Sequence, residues 1–131
     1  MSVIQAFIYN SLTTAPAVID LVGDAVYDAA PQGGLPDLAV MIGAEEVLDA
    51  SDILASARLH RAEIELVGRG AGFSTMKNAA DAIRACLESD TGPAGDGAIT
   101  RVRFHRAQSL RETSDGLRRI RMRFDIFFDG I

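Results

Sequence analysis

The side chains best suited to proton transfer, nucleophilic attack or metal binding are His60, His105, Cys86 and the 18 carboxylates of this 131-residue sequence. His105 opposite Asp125 on a hairpin could form an imidazole–carboxylate pair of the kind that activates a nucleophile, but no Ser or Cys motif accompanies it. His60 falls on the apolar side of an alternating run and reads as a core histidine with one backbone partner. Cys86, near Ile83 and Leu87 on one helix stripe, reads as a small hydrophobe. A metal site needs three or four ligands at regular spacing, and two histidines and one cysteine far apart supply no such set. Gly68-Arg69-Gly70-Ala71-Gly72 precedes a helix, where free amides attract anions. However, Phe73 stands where a dinucleotide fingerprint needs glycine, and no Gly-Lys-Ser/Thr follows, so the segment reads as a strand-to-helix turn. The carboxylate pairs Glu45-Glu46 and Asp49 with Asp52 lie in an expected mobile loop, which holds acid–base geometry poorly. The residues therefore predict no catalytic, cofactor or metal site and no enzyme.

The elements that position these groups follow from spacing. Residues 2–12 predict a helix capped by Ser2, with Ile4, Phe7, Ile8 and Ser11 or Leu12 on one stripe. Pro16 suits only a first turn, so a second short helix covers 16–21, and Gly23 follows it. Val26-Tyr27 is a short extended piece. A strand is expected from Asp37 to Gly43, then a long acidic loop, Ala44–Ala57. Strand 58–67 alternates His60, Ala62, Ile64 and Leu66 against Arg61, Glu63 and Glu65. Helix 74–88 buries Met76, Ala80, Ile83 and Leu87 and spaces Lys77, Asp81 and Arg84 to pair outside. Residues 89–97 read as a loop.

The last third predicts a β-hairpin. A two-residue turn at Asp115-Gly116 would set Phe124 against Ala107 and Ile120 against Arg111. A three-residue loop, Ser114-Asp115-Gly116, sets Leu110 against Ile120, Phe104 against Ile126 and Val102 against Phe128, and is preferred. The other face then carries Arg101, Arg103, Arg111, Arg119, Arg121 and Arg123, with the like charges Arg111 and Arg119 opposed. Glu63 and Glu65 can compensate if strand 58–67 lies beside 119–128. The expected fold is α+β: an antiparallel four-stranded sheet with helices on one face, in the order α-α-β-β-α-β-β, as one domain over 1–131.

Composition bounds the function. Apolar residues make up 48% and charged residues 24%, as in a folded soluble domain. No apolar run approaches the ~18 residues of a membrane span, so no membrane partner is expected. The net charge of −5 is segregated: residues 1–57 hold eight acids and no Lys or Arg, whereas residues 99–131 hold eight Arg and four acids. Opposite ends of neighbouring subunits could attract, and such a head-to-tail contact can close into a ring. A basic secretory or transit leader is not expected, which predicts synthesis in the cytoplasm. The overall sign disfavours a uniformly basic nucleic-acid binder.

Leu21-Val22-Gly23-Asp24, then Val26-Tyr27-Asp28-Ala29-Ala30-Pro31-Gln32-Gly33, then Leu35-Pro36 entering a strand, resemble the tail-terminator or tail-completion (tail-to-head joining) proteins of long-tailed phages and gene transfer agents. The strand–turn–helix from His60 to Leu87 and the closing Leu110-Arg111-Glu112 … Asp115-Gly116-Leu117 hairpin extend the resemblance over nearly the whole chain. It implies a structural virion protein without cofactors: a homo-hexameric ring on the head-proximal end of the tail tube. Such a ring ends tube polymerisation and joins the tail to the capsid connector or stopper. The implied partners are itself, the tube protein, the connector and DNA passing through the lumen. The implied location is the bacterial cytoplasm during assembly, then the neck of the particle.

Within that frame Arg101, Arg103, Arg119, Arg121, Arg123, Glu63 and Glu65 are candidates for a subunit interface or lumen. Glu45, Glu46, Asp49, Asp52, Asp90 and Asp96, in the loops 44–57 and 89–98, are candidates for docking tube or connector. The alternatives are another ring protein of the same particle, a head-completion or tube subunit, or a small nucleic-acid-binding module using the arginine face.

Overall fold

Ser2 opens the first helix as expected: its hydroxyl accepts from the Gln5 amide while the Gln5 side chain accepts from the Ser2 amide, at 3.1 Å each. This reciprocal cap satisfies two donors that a helix start otherwise leaves bare. The computed structural model describes residues 2–29, 33–34, 36–49, 57–69, 72–110 and 117–130. Helix α1 spans Val3–Thr14 and buries Ile4, Ile8, Ser11 and Leu12. Helix α2, Pro16–Val22, starts at its proline and ends at Gly23, whose φ of 62° suits a residue without Cβ.

The strands are β1 (Val26–Tyr27), β2 (Leu38–Asp49), β3 (Ala57–Gly68), β4 (Gly92–Ala94), β5 (Gly97–Leu110) and β6 (Arg118–Asp129), with helix α3 (Phe73–Glu88) between β3 and β4. They form one six-stranded sheet in the order β1-β2-β3-β6-β5-β4. The expected four-stranded antiparallel sheet is thereby corrected. The sheet is mixed, because β1 runs parallel to β2, and the element order is α-α-β-β-β-α-β-β-β. Two short edge strands make the difference. The segment expected as a loop at 89–98 contains β4 and the start of β5.

The acidic loop expected from Ala44 is also corrected, since β2 continues to Asp49 and residues 50–56 lie outside the described residues. A register shift between Ile42 and Glu45 places an extra residue at Gly43-Ala44, which hides the alternation in the sequence. Gly43 suits that position, since a Cβ would stand 3.1 Å from the Glu63 carbonyl oxygen, closer than a relaxed contact.

The β5–β6 register differs from the expected one. Val102 faces Ile126, Phe104 faces Phe124, Ser109 faces Ile120 and Leu110 faces Arg119. Shifts at Ile99/Arg101 and Phe104/Arg106 each add a residue to β5, so no single turn-based count describes the whole hairpin. The Ser114-Asp115-Gly116 loop and Arg111 lie outside the described residues.

One core joins sheet and helices. Val40, Ile42, Ala62, Ile64, Leu66, Ile120, Met122, Phe124 and Ile126 pack with Ile4, Ile8, Leu12, Val18, Met76, Ala79, Ile83 and Leu87 of the three helices. Gly68 lets α3 settle on β3, since a Cβ there would meet the Met76 sulfur at 2.7 Å. In α3 the pairing expected of Lys77, Asp81 and Arg84 is replaced: Arg84 binds Glu88 at 2.6 Å, and Lys77 lies over the Phe73 ring.

Candidate functional site

The strand period turns the odd-numbered residues of β3 and β6 away from the helices, onto one charged face. Because β3 lies directly beside β6, Glu63 sits opposite Arg123 and Glu65 opposite Arg121. The side chains make a ladder. Arg119 reaches Glu65 at 3.0 Å, Arg121 reaches Glu65 at 3.2 Å and Glu63 at 3.0 Å, and Arg123 approaches Glu63 at 4.0 Å. Three arginines and two carboxylates alternate, so most of the charge is cancelled within the subunit. Such half-exposed pairs contribute little individually and fix geometry more than stability.

Next to the ladder, Asp125 is fully buried, yet it belongs to the same face. Arg61 Nε donates to Oδ1 at 2.9 Å, and Arg103 Nη2 donates to Oδ2 at 3.0 Å. Burial alone would raise the Asp125 carboxyl. The hydrogen bonds from Arg61 and Arg103, with the charges of Arg61 and His105, outweigh it and hold the group below the usual carboxylate range. The hydrogen bond to Asp125 in turn raises Arg61. Arg103, not His105, is the cross-strand partner of Asp125. His105 stands in the irregularity of β5 with Nδ1 4.0 Å away. The expected register of His105 opposite Asp125 is thereby corrected, although the two side chains remain neighbours and the carboxylate is shared with two guanidiniums.

The other candidates disperse. Arg101 is exposed on β5 and makes no ion pair among the described residues. Glu45 lies on the helix side of β2, where one oxygen meets His60 Nδ1 at 3.0 Å and the other accepts from Ser2 Oγ at 2.7 Å. His60 therefore has a carboxylate partner instead of the expected backbone one, and it stands edge-on to Phe128. Glu46 is exposed opposite Arg61. Asp49 ends β2, and Asp52 lies outside the described residues. Asp90 accepts a short hydrogen bond from Ser11, and Asp96 is exposed in the turn between β4 and β5. Residues 90–95 form one wall of an open groove of about 530 Å³, with Val3, Ala6, Phe7 and Asn10 of α1 as the other.

The Asp125–Arg61 pair was missed by sequence reasoning; its signal was a lone acid among alternating arginines. No group of three or more His, Cys, Asp or Glu among the described residues is placed to hold a metal. No described helix is long and apolar enough to cross a membrane. Phe127, which the strand period places on the same side of β6 as Arg119, Arg121 and Arg123, is only 5% exposed and cannot serve as a base-stacking platform.

Comparisons with known proteins address the whole chain. No curated protein matches it. Among solved structures, it is similar to a chain from the virion of a native gene transfer agent particle. The two are 35% identical, with a TM-score of 0.86 over 96% of this chain and 94% of that one. The family model described as tail completion protein gp17 matches residues 6–129. That family comprises structural virion proteins, and the chain, matched across nearly its full length, belongs to it as a structural tail protein.

Proposed function

We propose that this chain forms a ring of six identical subunits on the head-proximal end of a tail tube, ending tube polymerisation and joining the tail to the capsid connector or stopper. The observation that carries this reading is the family match over residues 6–129, joined to a fold shared with a virion chain over 96% of the sequence. The charged face supports a role through surface and shape. Arg119, Arg121 and Arg123 are held by Glu63 and Glu65, and the buried Asp125 is occupied by Arg61 and Arg103, so the described part of the face is a patterned charged surface. In this reading the protein transforms no substrate and holds no cofactor, and DNA meets it only in transit through the lumen. It is made in the bacterial cytoplasm and ends in the neck of the particle.

Arg119, Arg121 and Arg123, with Glu63 and Glu65, face either a neighbouring subunit or the lumen. Glu46 and Asp96, both exposed, are candidates for docking the tube or connector, as by sequence are Asp49 and Asp52; Asp90 is held by Ser11, and Glu45 by His60 and Ser2.

The decisive experiment removes the chain from particle-producing cells and images the products. Heads without tails, and tubes of uncontrolled length, are expected, and imaging of complete particles should locate six copies at the neck. Normal tails without the chain would refute the reading. Copies found along the tube or inside the head would assign it to a different ring of the particle.

A further inference from the structure

The two long edges of the sheet carry opposite charge. Strand β1 covers β2 only at Val40 and Met41, and β4 covers β5 only from Gly97 to Ile99. Residues 42–49 of β2 and 100–110 of β5 therefore present backbone N–H and C=O groups to no further strand among the described residues. Traced through β3 and β6, Ile42 and Asp49 lie level with Met122 and Phe128, while Leu110 and Arg101 lie level with Arg119 and Phe127. The two free stretches thus stand at nearly the same height on opposite sides of the subunit. The β2 stretch holds Glu45, Glu46 and Asp49 and no base; the β5 stretch holds Arg101, Arg103, His105 and Arg106 and no acid.

Bare edges invite pairing, and charge is a common way to blunt them. Like edges meeting, β5 with β5 or β2 with β2, would oppose charges of one sign. Unlike edges would attract. We propose that the β2 edge of one subunit pairs with the β5 edge of a second copy of this chain, joining the sheets of successive subunits into one continuous band. The inference rests on the ring reading and deepens it. Strand direction alternates from β2 through β3 and β6 to β5, so β2 and β5 run in opposite senses and the new pair is antiparallel. A contact between unlike edges is head-to-tail, the kind that closes into a ring when its rotation permits. Strand β1 limits the register. To clear it, the neighbour is displaced along the strands by roughly two to four residues, on the order of 7–14 Å, and closure of a sheet into a barrel requires such a stagger. An even displacement keeps the helix-covered faces on one side.

The test compares rings recovered from particle-producing cells for three full-length variants: Arg101→Glu with Arg106→Glu, Glu46→Arg with Asp49→Arg, and all four together. Glu45 is kept because it holds His60 and Ser2. Each single-edge reversal should lower ring yield roughly tenfold or more, and reversal of both edges should restore most of it. Circular dichroism confirms folding of each variant. Undiminished rings from the single-edge variants, or no recovery in the folded four-residue variant, overturn the edge pairing. Absence of rings from the parent chain overturns the ring reading itself.

A second measurement needs no reversal. In a Cys86→Ser background, Val47→Cys with Ala107→Cys should give an oxidised ladder of oligomers ending at the ring. Within one subunit these strands are three spacings apart, about 14 Å, too far for a disulfide. Rings without a ladder, or dimers from either single cysteine, overturn the proposal.

Discussion

Replacing Asp125 by Asn keeps the shape of the side chain and removes its charge, which tests whether the buried carboxylate organises the polar face. Asp125 is fully buried and accepts from Arg61 at 2.9 Å and from Arg103 at 3.0 Å. Breaking a buried, hydrogen-bonded ion pair costs about 3–5 kcal/mol when the remaining charge stays dry. Here the Arg103 side chain is 51% exposed and that of Arg61 28% exposed, so both regain water, and the expected loss falls to about 2–3 kcal/mol. Urea unfolding followed by circular dichroism at pH 7 should show a lower midpoint with an unchanged slope. The acid limb gives an independent reading. The folded-state carboxyl titrates below its unfolded value of about 3.9, so its contribution is complete above that value. It is lost as pH falls through the lower, folded-state value. The parent should therefore lose this increment between about pH 5 and the acid extreme, and Asp125→Asn should not. A variant within about 0.5 kcal/mol of the parent at pH 7, or parallel pH curves, would refute the assignment.

Phe124, fully buried and edge-on to Phe104 at 5.7 Å, is a centre of the core; Phe124→Ala should cost about 3–5 kcal/mol in the same assay. Gly97→Ala would bring a methyl 2.4 Å from the Asp129 carbonyl oxygen and 2.7 Å from Gly130 Cα, both backbone, so about 1–3 kcal/mol of destabilisation should appear as a lower melting temperature. Ser2→Ala removes the α1 cap and the bond to Glu45, and about 1 kcal/mol should be lost, with faster amide exchange in the first turn of α1. Burial, and then Asp90, push the Cys86 thiol up, so a thiol reagent at neutral pH should label the folded chain far more slowly than the chain in urea.

Much of the fold was legible where one period holds over a long run. The alternation from His60 to Leu66 defined β3, and the stripe from Met76 to Leu87 defined α3. The α1 cap was announced by Ser2. What escaped the sequence was short or irregular. Strands of two and three residues, β1 and β4, have no readable period. The extra residue at Gly43-Ala44 made a strand look like a loop; in β5 a register already one residue off at Leu110, then the irregularity between Phe104 and Arg106, displaced Phe104 from Ile126 to Phe124. The Glu63 and Glu65 side of the charged face followed from alternation plus one adjacency. The Glu45–His60 contact needed the β2 register beyond the extra residue at Gly43-Ala44, whereas Arg61 meets Asp125 through the unbroken β3–β6 register, which only tertiary pairing sets.

The Gly43-Ala44 insertion separates curvature from chemistry. Because the ladder on either side of it keeps its own partners, with Ile42 opposite Ile64 and Glu45 opposite Ala62, a chain shortened by Ala44 alone could retain every other cross-strand neighbour of β2. Only the bend and added twist would go. In the ring proposed above, gain or loss of that single amino acid would thus retune the arc of the sheet, and with it the bore, while leaving the other cross-strand partners of β2 in place.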